Sequence, residues 1–533
     1  MSYSRHCLAA AMTAVLAVAA LAQSVGIYFE TNDDVSMMML AHGFGLTNVA
    51  TDQILFSNRL EGDIVDRIGM PFGQPGYSIY MFLCLSLSLG FLFASLIRLN
   101  HGVLVNAATI TALAIRPLLA PQFTITASLL SLAGIVVFLD DRTMRSPCRL
   151  VAATGLFFLG FLMRIDSAVF MLLIASPMLL RARSFQRGTL VAAGAFMLAV
   201  MAALWWDGLG YLSEGWTAFN AVEGPRVWFT DYGVAAQLLD KPDLLTAAGW
   251  SRNDVDMIAQ WWFVDPQVYS AERLGRLLSV AGPLTIDTVR TDLLSSWFGL
   301  LLGWDMAPLV ILSVISLALS LRGGQWRLLV CVTVVLAAFA GFALLGRPGI
   351  TRVAYSAFAA LLVLSCLSPF SRSRTVIQTA AALICASVLA VLYVGQAQQS
   401  RLQQAGALAE LHKVPPADVV VVWADVLPYQ ALYPAFLRAG EDFPPVHIYS
   451  LGSDQLAPHA LSWWGGDAAQ TIRRLTSPDG IDLVARDDLV AKLDVYCREH
   501  WGIPLAVDRS VPAQGWQYYH VACPTGSQAI VWD

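Results

Sequence analysis

The chain has 533 residues, of which 57% are hydrophobic and 13% are charged. A soluble globular domain carries about 25% charged residues, so this composition excludes an ordinary soluble protein and indicates a membrane protein with many spans. The net charge of −5 argues neither for nor against any partner, and the sequence has no basic cluster of the kind that binds nucleic acid.

The first 27 residues have two interpretations. Arg5 precedes an apolar run, and Ala20-Leu21-Ala22 resembles the cleavage site of a secretory signal. We favour an uncleaved first membrane helix over 7–27, because cleavage would release the acidic segment that follows from its anchor. In both interpretations residue 28 onward begins outside the cytoplasm.

The segment after this helix carries three acids, Glu30, Asp33 and Asp34, where a membrane helix meets water. Asn32 or Asp33 could cap a short helix through Met37–Met39, since acids are favoured at a helix N-terminus. One acid would suffice for a cap. The presence of three favours a carboxylate site at the membrane surface, acting as a base or as metal ligands.

Apolar segments long enough to cross a bilayer recur along the chain. After 7–27 we predict spans at 76–97, 102–120, 122–139, 150–163, 168–180, 188–206, 297–321, 328–345, 355–370 and 375–394. With about eleven spans, most basic connections fall on one side, which is the cytoplasmic side. These connections contain Arg98, Arg142, Arg145, Arg149, Arg181, Arg183, Arg187, Arg322, Arg327, Arg372 and Arg374. The N-terminus is then cytoplasmic and the C-terminus extracytoplasmic.

This topology predicts two domains. Residues 1–395 form an α-helical polytopic membrane domain with outer loops at about 28–75 and 207–296, and residues 396–533 form a soluble outer tail. In the tail, 419–423, 447–449 and 481–484 read as strands, and 467–477 and 487–500 have helical periodicity. This alternation predicts a small α/β domain. Cys497 and Cys523 lie in it, either as a disulfide or as two buried thiols.

Five of the arginines on the outer side are candidate ligands for a phosphate: Arg59, Arg116, Arg164, Arg347 and Arg352. An arginine near a bilayer usually has a partner or a task. Arg164 could simply pair with Asp166, two residues on. Arg347 and Arg352 have no acid nearby in sequence, which favours a ligand. Guanidinium groups bind phosphate oxygens in pairs of hydrogen bonds, so a lipid phosphate is the predicted ligand.

Other outer polar residues are candidate substrate contacts. They are Glu30, Asn58, Asp166, Asn220, Arg226 and Asp231. Aromatic clusters such as Trp261-Trp262-Phe263 and Trp463-Trp464 either anchor at the lipid interface or stack on sugar rings. His42, His459 and His520 are isolated, which favours structural roles.

Several catalytic motifs are absent from the sequence. It contains no Walker A loop, no H-E-x-x-H or paired C-x-x-C zinc pattern, and no G-x-S-x-G elbow. An ATP-driven pump, a zinc enzyme of these types and an α/β-hydrolase are therefore not indicated.

With Asn32-Asp33-Asp34 after the first span, about eleven spans, outer arginines and a soluble outer tail, the chain resembles a GT-C-type integral-membrane glycosyltransferase. Within that class the resemblance is to mannosyltransferases and aminoarabinose transferases. It implies a polyprenyl-phosphate-linked sugar as donor, with membrane lipid and without nucleotide or nucleic acid, at a bacterial-type plasma (inner) membrane facing the periplasm. Asp33 or Asp34 would be the catalytic base or would help bind a divalent cation, the one cofactor left open. The Trp-Trp-Asp-Tyr-Gly motif of oligosaccharyltransferases is missing, which speaks against asparagine-directed transfer.

The sequence therefore predicts an inverting transfer to a lipid, polysaccharide or protein acceptor in the cell envelope. Two other functions use the same residues. A transporter or flippase of a lipid-linked saccharide would bind and release it through the same charges, although the chain lacks the internal repeats typical of transporters. A non-catalytic envelope-assembly protein would not depend on Asp33 or Asp34.

Overall fold

The structure is a computed structural model. It describes residues 24–100, 102–140, 143, 146–180, 187–281, 291–367, 371–411, 419–424, 426–438, 440–512 and 516–525. Most of the predicted first span, 7–27, lies outside the described residues, as do Arg142, Arg145, Arg181 and Arg183. In the described part the fold is predominantly helical, and its strands all follow residue 419.

Two short helices precede the first long apolar helix: α1 (Asn32–His42) and α2 (Arg59–Ile68). Asp33 and Asp34 lie in the first turn of α1, where the helix dipole favours carboxylates. The N-cap residue is Thr31, and its side chain makes no cap bond. The alternative that Asn32 or Asp33 caps this helix is therefore wrong. Asn58 caps α2 by accepting the Leu60 N–H at 2.9 Å.

Six apolar helices follow, close to the predicted segments. They are α3 (Gly76–Asn100), α4 (Val103–Leu119), α5 (Phe123–Leu139), α6 (Pro147–Met163), α7 (Ile165–Leu179) and α8 (Arg187–Gly210). Helix α5 is buried on nearly every face and packs against α3, α6 and α7. Gly160 of α6 allows this approach, because a Cβ there would lie 2.6 Å from the Ala127 carbonyl oxygen of α5.

The long outer loop contains helices that the sequence reading left unassigned. They are α9 (Glu214–Thr230), α10 (Val234–Leu239), α11 (Pro242–Ala247), α12 (Arg252–Ala259) and α13 (Ala271–Ala281). They bury Trp262, Phe263 and Tyr269 among themselves and against the tail. Their aromatic residues are thus largely core residues, rather than rings lying free for a lipid interface.

Five more helices complete the membrane bundle: α14 (Thr291–Leu302), α15 (Ala307–Leu321), α16 (Arg327–Leu344), α17 (Thr351–Ser365) and α18 (Arg372–Leu411). The chain bends by 86° between Leu293–Leu302 and Ala307–Leu321. The segment predicted as a span over 297–321 is therefore broken between Leu302 and Ala307. Helix α18 has 40 residues and continues past the predicted domain boundary at 395.

By length and composition, four described helices could each cross a membrane, and the bent α14–α15 pair would make a fifth. Five other apolar helices have 15 or 17 residues: α4, α5, α6, α7 and α17. The count of about eleven spans stays a prediction.

The tail holds a five-stranded sheet in the order β2-β1-β3-β5-β4. The strands are β1 (Val420–Trp423), β2 (Ile448–Leu451), β3 (Ile481–Ala485), β4 (Ala506–Pro512) and β5 (Gln517–Ala522). The first three are parallel and coincide with the three predicted strands, whereas β5 and β4 add antiparallel pairs. Four helices accompany the strands: α19 (Tyr429–Leu432), α20 (Pro458–Leu461), α21 (Gln470–Leu475) and α22 (Asp487–Trp501). A disulfide joins Cys497 and Cys523.

The tail contacts both outer loops. The Ile448 N–H at the start of β2 donates to the Gly45 carbonyl oxygen at 2.9 Å, just after α1. At the other end of the sheet, the Trp423 indole N–H donates to the Gln260 carbonyl oxygen at 2.7 Å. The long-loop helix α12 also pairs with α22 through Asp256 and Lys492 at 3.1 Å. The sheet is thus held between the two outer loops.

Candidate functional site

The membrane domain contains a partly polar cavity of about 570 Å³. It lies between α5, α7, α16 and α17, at the ends of these helices nearest the outer loops. One part of its wall is polar and carries Arg164, Arg347 and Arg352; the other is apolar and includes Val169, Phe170, Leu173, Phe342 and Leu345. The cavity therefore suits a molecule with an anionic group and a hydrocarbon chain.

The three arginines reach the cavity from two chain breaks. Arg164 separates α6 from α7 in extended conformation. Arg347 lies in the turn between α16 and α17, and Arg352 lies in the first turn of α17. Each guanidinium has one acidic partner at moderate distance. Arg164 pairs with Asp166 at 3.3 Å, Arg347 with Asp231 at 3.3 Å, and Arg352 with Asp33 at 3.1 Å. Arg347 and Arg352 have no acid nearby in sequence, but acids distant in sequence reach them.

These arginines remain accessible. Their side chains are 26–28% exposed, and each of these ion pairs joins one guanidinium nitrogen to one carboxylate oxygen. A guanidinium offers five N–H donors, so several can bind a further anion. Burial lowers the pKa of Arg164, and the charges of Arg352 and Arg347 add to this effect against the opposing charges of Asp166 and Asp33. The mutual repulsion of the three cations favours an anion between them.

Asp33 and Asp34 are neighbours in sequence but differ in environment. The Asp33 side chain is 35% exposed and faces Arg352 beside the cavity. Asp34 is fully buried and accepts hydrogen bonds from the Phe123 N–H at 2.8 Å, the Thr31 hydroxyl at 2.8 Å and the Tyr77 hydroxyl at 3.3 Å. Burial raises the pKa of Asp34 to about 8. Asp33 is thus the accessible carboxylate, while Asp34 fastens α1 to α3 and α5.

A metal does not fit the Asp33–Asp34 pair. Both oxygens of Asp34 already accept protein hydrogen bonds. Among the described residues, the group of three potential metal ligands that lies close together is Asp254, Glu499 and His500, on α12 and α22. The alternative that Asp33 and Asp34 jointly hold a divalent cation therefore gains no support from their arrangement.

Arg116 occupies a second outer arginine site. Its side chain is 4% exposed and forms two hydrogen bonds with the Glu30 carboxylate, at 2.9 and 3.1 Å. Asp305, in the break between α14 and α15, adds a contact at 3.3 Å, and the Tyr355 and Tyr393 rings lie 5.3 and 5.7 Å from the guanidinium carbon. Glu30 and Arg116 thus form a closed structural network.

Four other predicted site residues lie outside the cavity wall. Arg59 pairs with Asp52 at 2.5 Å and stacks on Trp206. Asn58 is buried and serves as the α2 cap. Arg226 is buried, pairs with Glu223 and lies 4.7 Å from the Trp261 ring. Asn220 is exposed on α9. Their roles as substrate contacts stay predictions.

Two residues near the site were missed by sequence reasoning. Tyr232 lines the cavity, and its ring lies 5.0 Å from the Arg347 guanidinium; its only sequence signal is a place beside Asp231. Glu61 on α2 is fully buried, and neither carboxylate oxygen has a hydrogen-bond partner among the described residues. Burial raises the pKa of Glu61 well above its usual range. Nothing in the sequence distinguishes Glu61 from the other acids of this loop.

The three isolated histidines have structural surroundings. His42 accepts the Tyr77 N–H at 3.1 Å, and burial lowers its pKa to about 4, so it stays neutral. His459 lies 3.3 Å from Asp454, and the Nδ1 of His520 lies 2.9 Å from Asp482. None of the three lines the arginine cavity.

No protein-family model and no curated protein matches the chain. Among solved structures, it is similar to ArnT from Cupriavidus metallidurans bound to undecaprenyl phosphate, with 13% identity, a TM-score of 0.42, and coverage of 99% of each chain. It is also similar to ArnT from the same organism in the apo state, with 12% identity, a TM-score of 0.39, and coverage of 96% of this chain and 97% of the other. ArnT is a GT-C glycosyltransferase, the class that the sequence resembles.

Proposed function

We propose that the protein is an integral-membrane glycosyltransferase that takes a sugar from a polyprenyl-phosphate-linked donor and transfers it to a hydroxyl acceptor outside the cytoplasm. One observation carries this proposal: a single cavity joins three accessible arginines to an apolar wall. A lipid phosphate has this same division between an anion and a hydrocarbon chain.

The phosphate is assigned to the arginine side. The unused N–H donors of Arg164, Arg347 and Arg352 would bind its oxygens through charge-assisted hydrogen bonds, the strongest kind in proteins. A phosphate diester carries one negative charge, and the phosphate monoester that leaves after transfer carries up to two. The three cations therefore stabilise the leaving group more than the donor, as catalysis requires.

The hydrocarbon chain is assigned to the apolar side. Val169, Leu173 and Leu345 line the cavity and are 47%, 54% and 48% exposed. In a bilayer, such side chains on α7 and at the end of α16 would face lipid. This opening would admit a prenyl chain sideways from the membrane while its phosphate stays among the arginines.

Asp33 is the proposed base. In the transfer, the acceptor oxygen forms a bond to the anomeric carbon while Asp33 takes the proton of the acceptor hydroxyl. The bond between the anomeric carbon and the phosphate oxygen breaks, and its electron pair stays on the phosphate that leaves. Arg352 now holds Asp33 at 3.1 Å. When the donor phosphate engages Arg352, Asp33 loses part of its ion pair and becomes a better proton acceptor. Attack opposite the leaving group inverts the anomeric configuration.

This mechanism places α1, the cavity and the tail on the extracytoplasmic side of a bacterial-type plasma membrane. No nucleotide takes part, and the residues described above carry each step without a metal. The acceptor can be a lipid, a polysaccharide or a protein.

The experiment measures transfer by purified protein in detergent from a panel of radiolabelled polyprenyl-phosphate sugars to envelope extracts. We expect one donor to yield a labelled product, and unlabelled polyprenyl phosphate to inhibit by competing for the arginines. The test variant replaces Arg164, Arg347 and Arg352 with Gln. The control variant is Arg59→Gln, because Arg59 lies outside the cavity wall.

Tight binding of a lipid-linked saccharide without any product, combined with its movement between bilayer leaflets, would instead support the transporter. Binding unaffected by the triple change would contradict the assignment of the phosphate to these arginines.

A further inference from the structure

A second polar cavity, of about 110 Å³, lies in the tail, away from the membrane bundle. Its wall comes from the start of β3, from β5, from α21 and from the segment after α20. The residues with polar side chains in this wall are Trp464, Arg474, Asp479, Asp482 and His520. We call it the tail pocket.

The imidazole of His520 is held in one orientation. Asp482 and His520 are direct partners in the β3–β5 ladder, and the Asp482 carboxylate accepts the His520 Nδ1–H at 2.9 Å and the Tyr518 hydroxyl at 2.5 Å. Because Nδ1 carries the proton, Nε2 is left as an acceptor. Gly480, with φ at +63°, leaves the His520 Nε2 accessible, because a Cβ at this position would lie 3.2 Å from that nitrogen.

The pocket also contains donors and an acceptor without protein partners. The Trp464 side chain is buried, and its indole N–H has no hydrogen-bond partner among the described residues. Arg474 stacks over this indole at 5.0 Å. Within the part of the chain that the structure describes, neither Arg474 nor Asp479 has an ion-pair partner. An unpaired buried donor costs free energy, so a ligand that accepts from it is favoured.

The tail pocket contains both acidic and basic side chains, and this combination indicates which class of ligand it can bind. An anion would be repelled by Asp479 and Asp482, whereas a cation would be repelled by Arg474. A neutral polyhydroxylated ring satisfies all of them, because each hydroxyl both donates and accepts. Pockets for drug-sized molecules measure roughly 300–1,000 Å³, so a cavity of about 110 Å³ favours a small ligand.

We propose that the tail pocket binds a single saccharide ring through its hydroxyl groups. Asp479 and the His520 Nε2 accept from the ring, and Arg474 and the Trp464 indole N–H donate to it. The assignment of this ring to the acceptor rests on the proposed function. In that case the acceptor is a glycan, a glycosylated lipid or a glycosylated protein.

The position of the pocket agrees with an acceptor site. Strands β1, β2 and β3 are parallel, so their first residues lie at one end of the sheet. Val419, Gly480 and Ile481 at this end line the pocket. Ile448, at the same end, bonds to Gly45 of the first outer loop. The pocket therefore lies at the end of the sheet that contacts the loop after α1.

The experiment is saturation-transfer NMR on the full chain in a sugar-free zwitterionic detergent, with glucose, galactose, mannose and arabinose as probes. We expect transfer to at least one sugar, with affinity lowered about tenfold or more in Asp479→Asn and in Arg474→Gln, as expected for hydrogen bonds to charged groups. Arg473→Gln is the matched control on α21, since Arg473 does not line the pocket. Thermal midpoints equal to wild type show that the variants are folded.

No signal with any of the four sugars, or equal signals in wild type and the Asp479→Asn/Arg474→Gln double variant, would overturn the proposal. Displacement of the sugar by inorganic phosphate would also overturn it, since that result indicates an anion site. The measurement needs no donor lipid. A protein that binds sugar but transfers none would therefore count against the proposed function alone, and Asp33→Asn should bind sugar normally.

Discussion

The two outer arginine sites differ in how completely the protein uses the guanidinium. Arg116 is 4% exposed and has a bidentate bond to Glu30 with a further acid, Asp305. Arg352 is 28% exposed and has a single 3.1 Å contact with Asp33. A saturated, buried guanidinium fixes structure, whereas a partly exposed one with unused donors can bind a ligand. The same residue type thus has two roles, and partner geometry separates them.

The largest effect is expected at the acid beside the accessible arginines. Asp33→Asn should lower transfer by about 10²–10⁴-fold, the range for losing a general base, while leaving lipid binding intact. Asp34→Asn should keep most of the activity, because an amide can still accept from Phe123 and donate to Thr31. Initial rates from a labelled donor measure both. Equal losses in the two variants would show that buried and accessible acids are not functionally distinct.

The next effect is on stability. Arg116→Gln leaves Glu30 and Asp305 without their cation, and breaking such a buried pair costs about 3–5 kcal/mol. The thermal midpoint in detergent should fall clearly, whereas Arg164→Gln, at an exposed single contact, should shift it little. A midpoint that is unchanged in Arg116→Gln would remove the distinction between the two sites.

A smaller effect is expected on ligand affinity. Arg352→Gln should weaken polyprenyl phosphate binding about tenfold to a hundredfold, as for lost charge-assisted hydrogen bonds. Arg352→Lys should lie between this variant and wild type, because lysine keeps the charge without the planar fork. Native mass spectrometry or competition with a fluorescent lipid phosphate gives the affinities. Arg59→Gln is the control; a comparable loss there would mean that general outer charge, not the cavity, binds phosphate.

The last effect concerns pH. The folded state raises the pKa of Asp34 to about 8 from an ordinary 3.8. The folded protein therefore holds a proton that the unfolded chain releases, so this contribution to stability is complete below about pH 4 and is lost as pH rises through 8. The difference in thermal midpoint between Asp34→Asn and wild type should grow over this interval. A difference that is independent of pH would place Asp34 in a solvated, ionised state.

The sequence predicted the positions of most helices but not the contacts between residues distant in sequence. Continuous apolar runs predicted α3 to α8 within a few residues, because length and hydropathy determine such helices locally. The bend before Ala307 was missed, since Gly303 and Asp305 break a run that remains apolar overall.

The candidate site shows the same limit. Arg164 and Asp166 are adjacent, and their pairing was foreseen as an alternative. Arg352 and Asp33 are separated by 319 residues, and only packing of α17 against the outer loop reveals that contact. Likewise, sequence placed Asp33 and Asp34 together as equal candidates. A helical turn directs one outward and the other into the core, and a single sequence without helix phase does not predict which.

The length of α18 sets the height of the tail above the bundle. Its 40 residues extend about 60 Å at 1.5 Å per residue, twice a hydrocarbon core of about 30 Å. Near its end, Gln404 accepts from the Tyr28 hydroxyl at 2.9 Å and donates to the Leu432 carbonyl oxygen of α19 at 3.5 Å. The number of residues in α18 therefore determines both the height and the direction of this contact. Deleting one residue before Gln404 would turn this contact by about 100°, whereas inserting seven would restore its direction but raise it by about 10 Å.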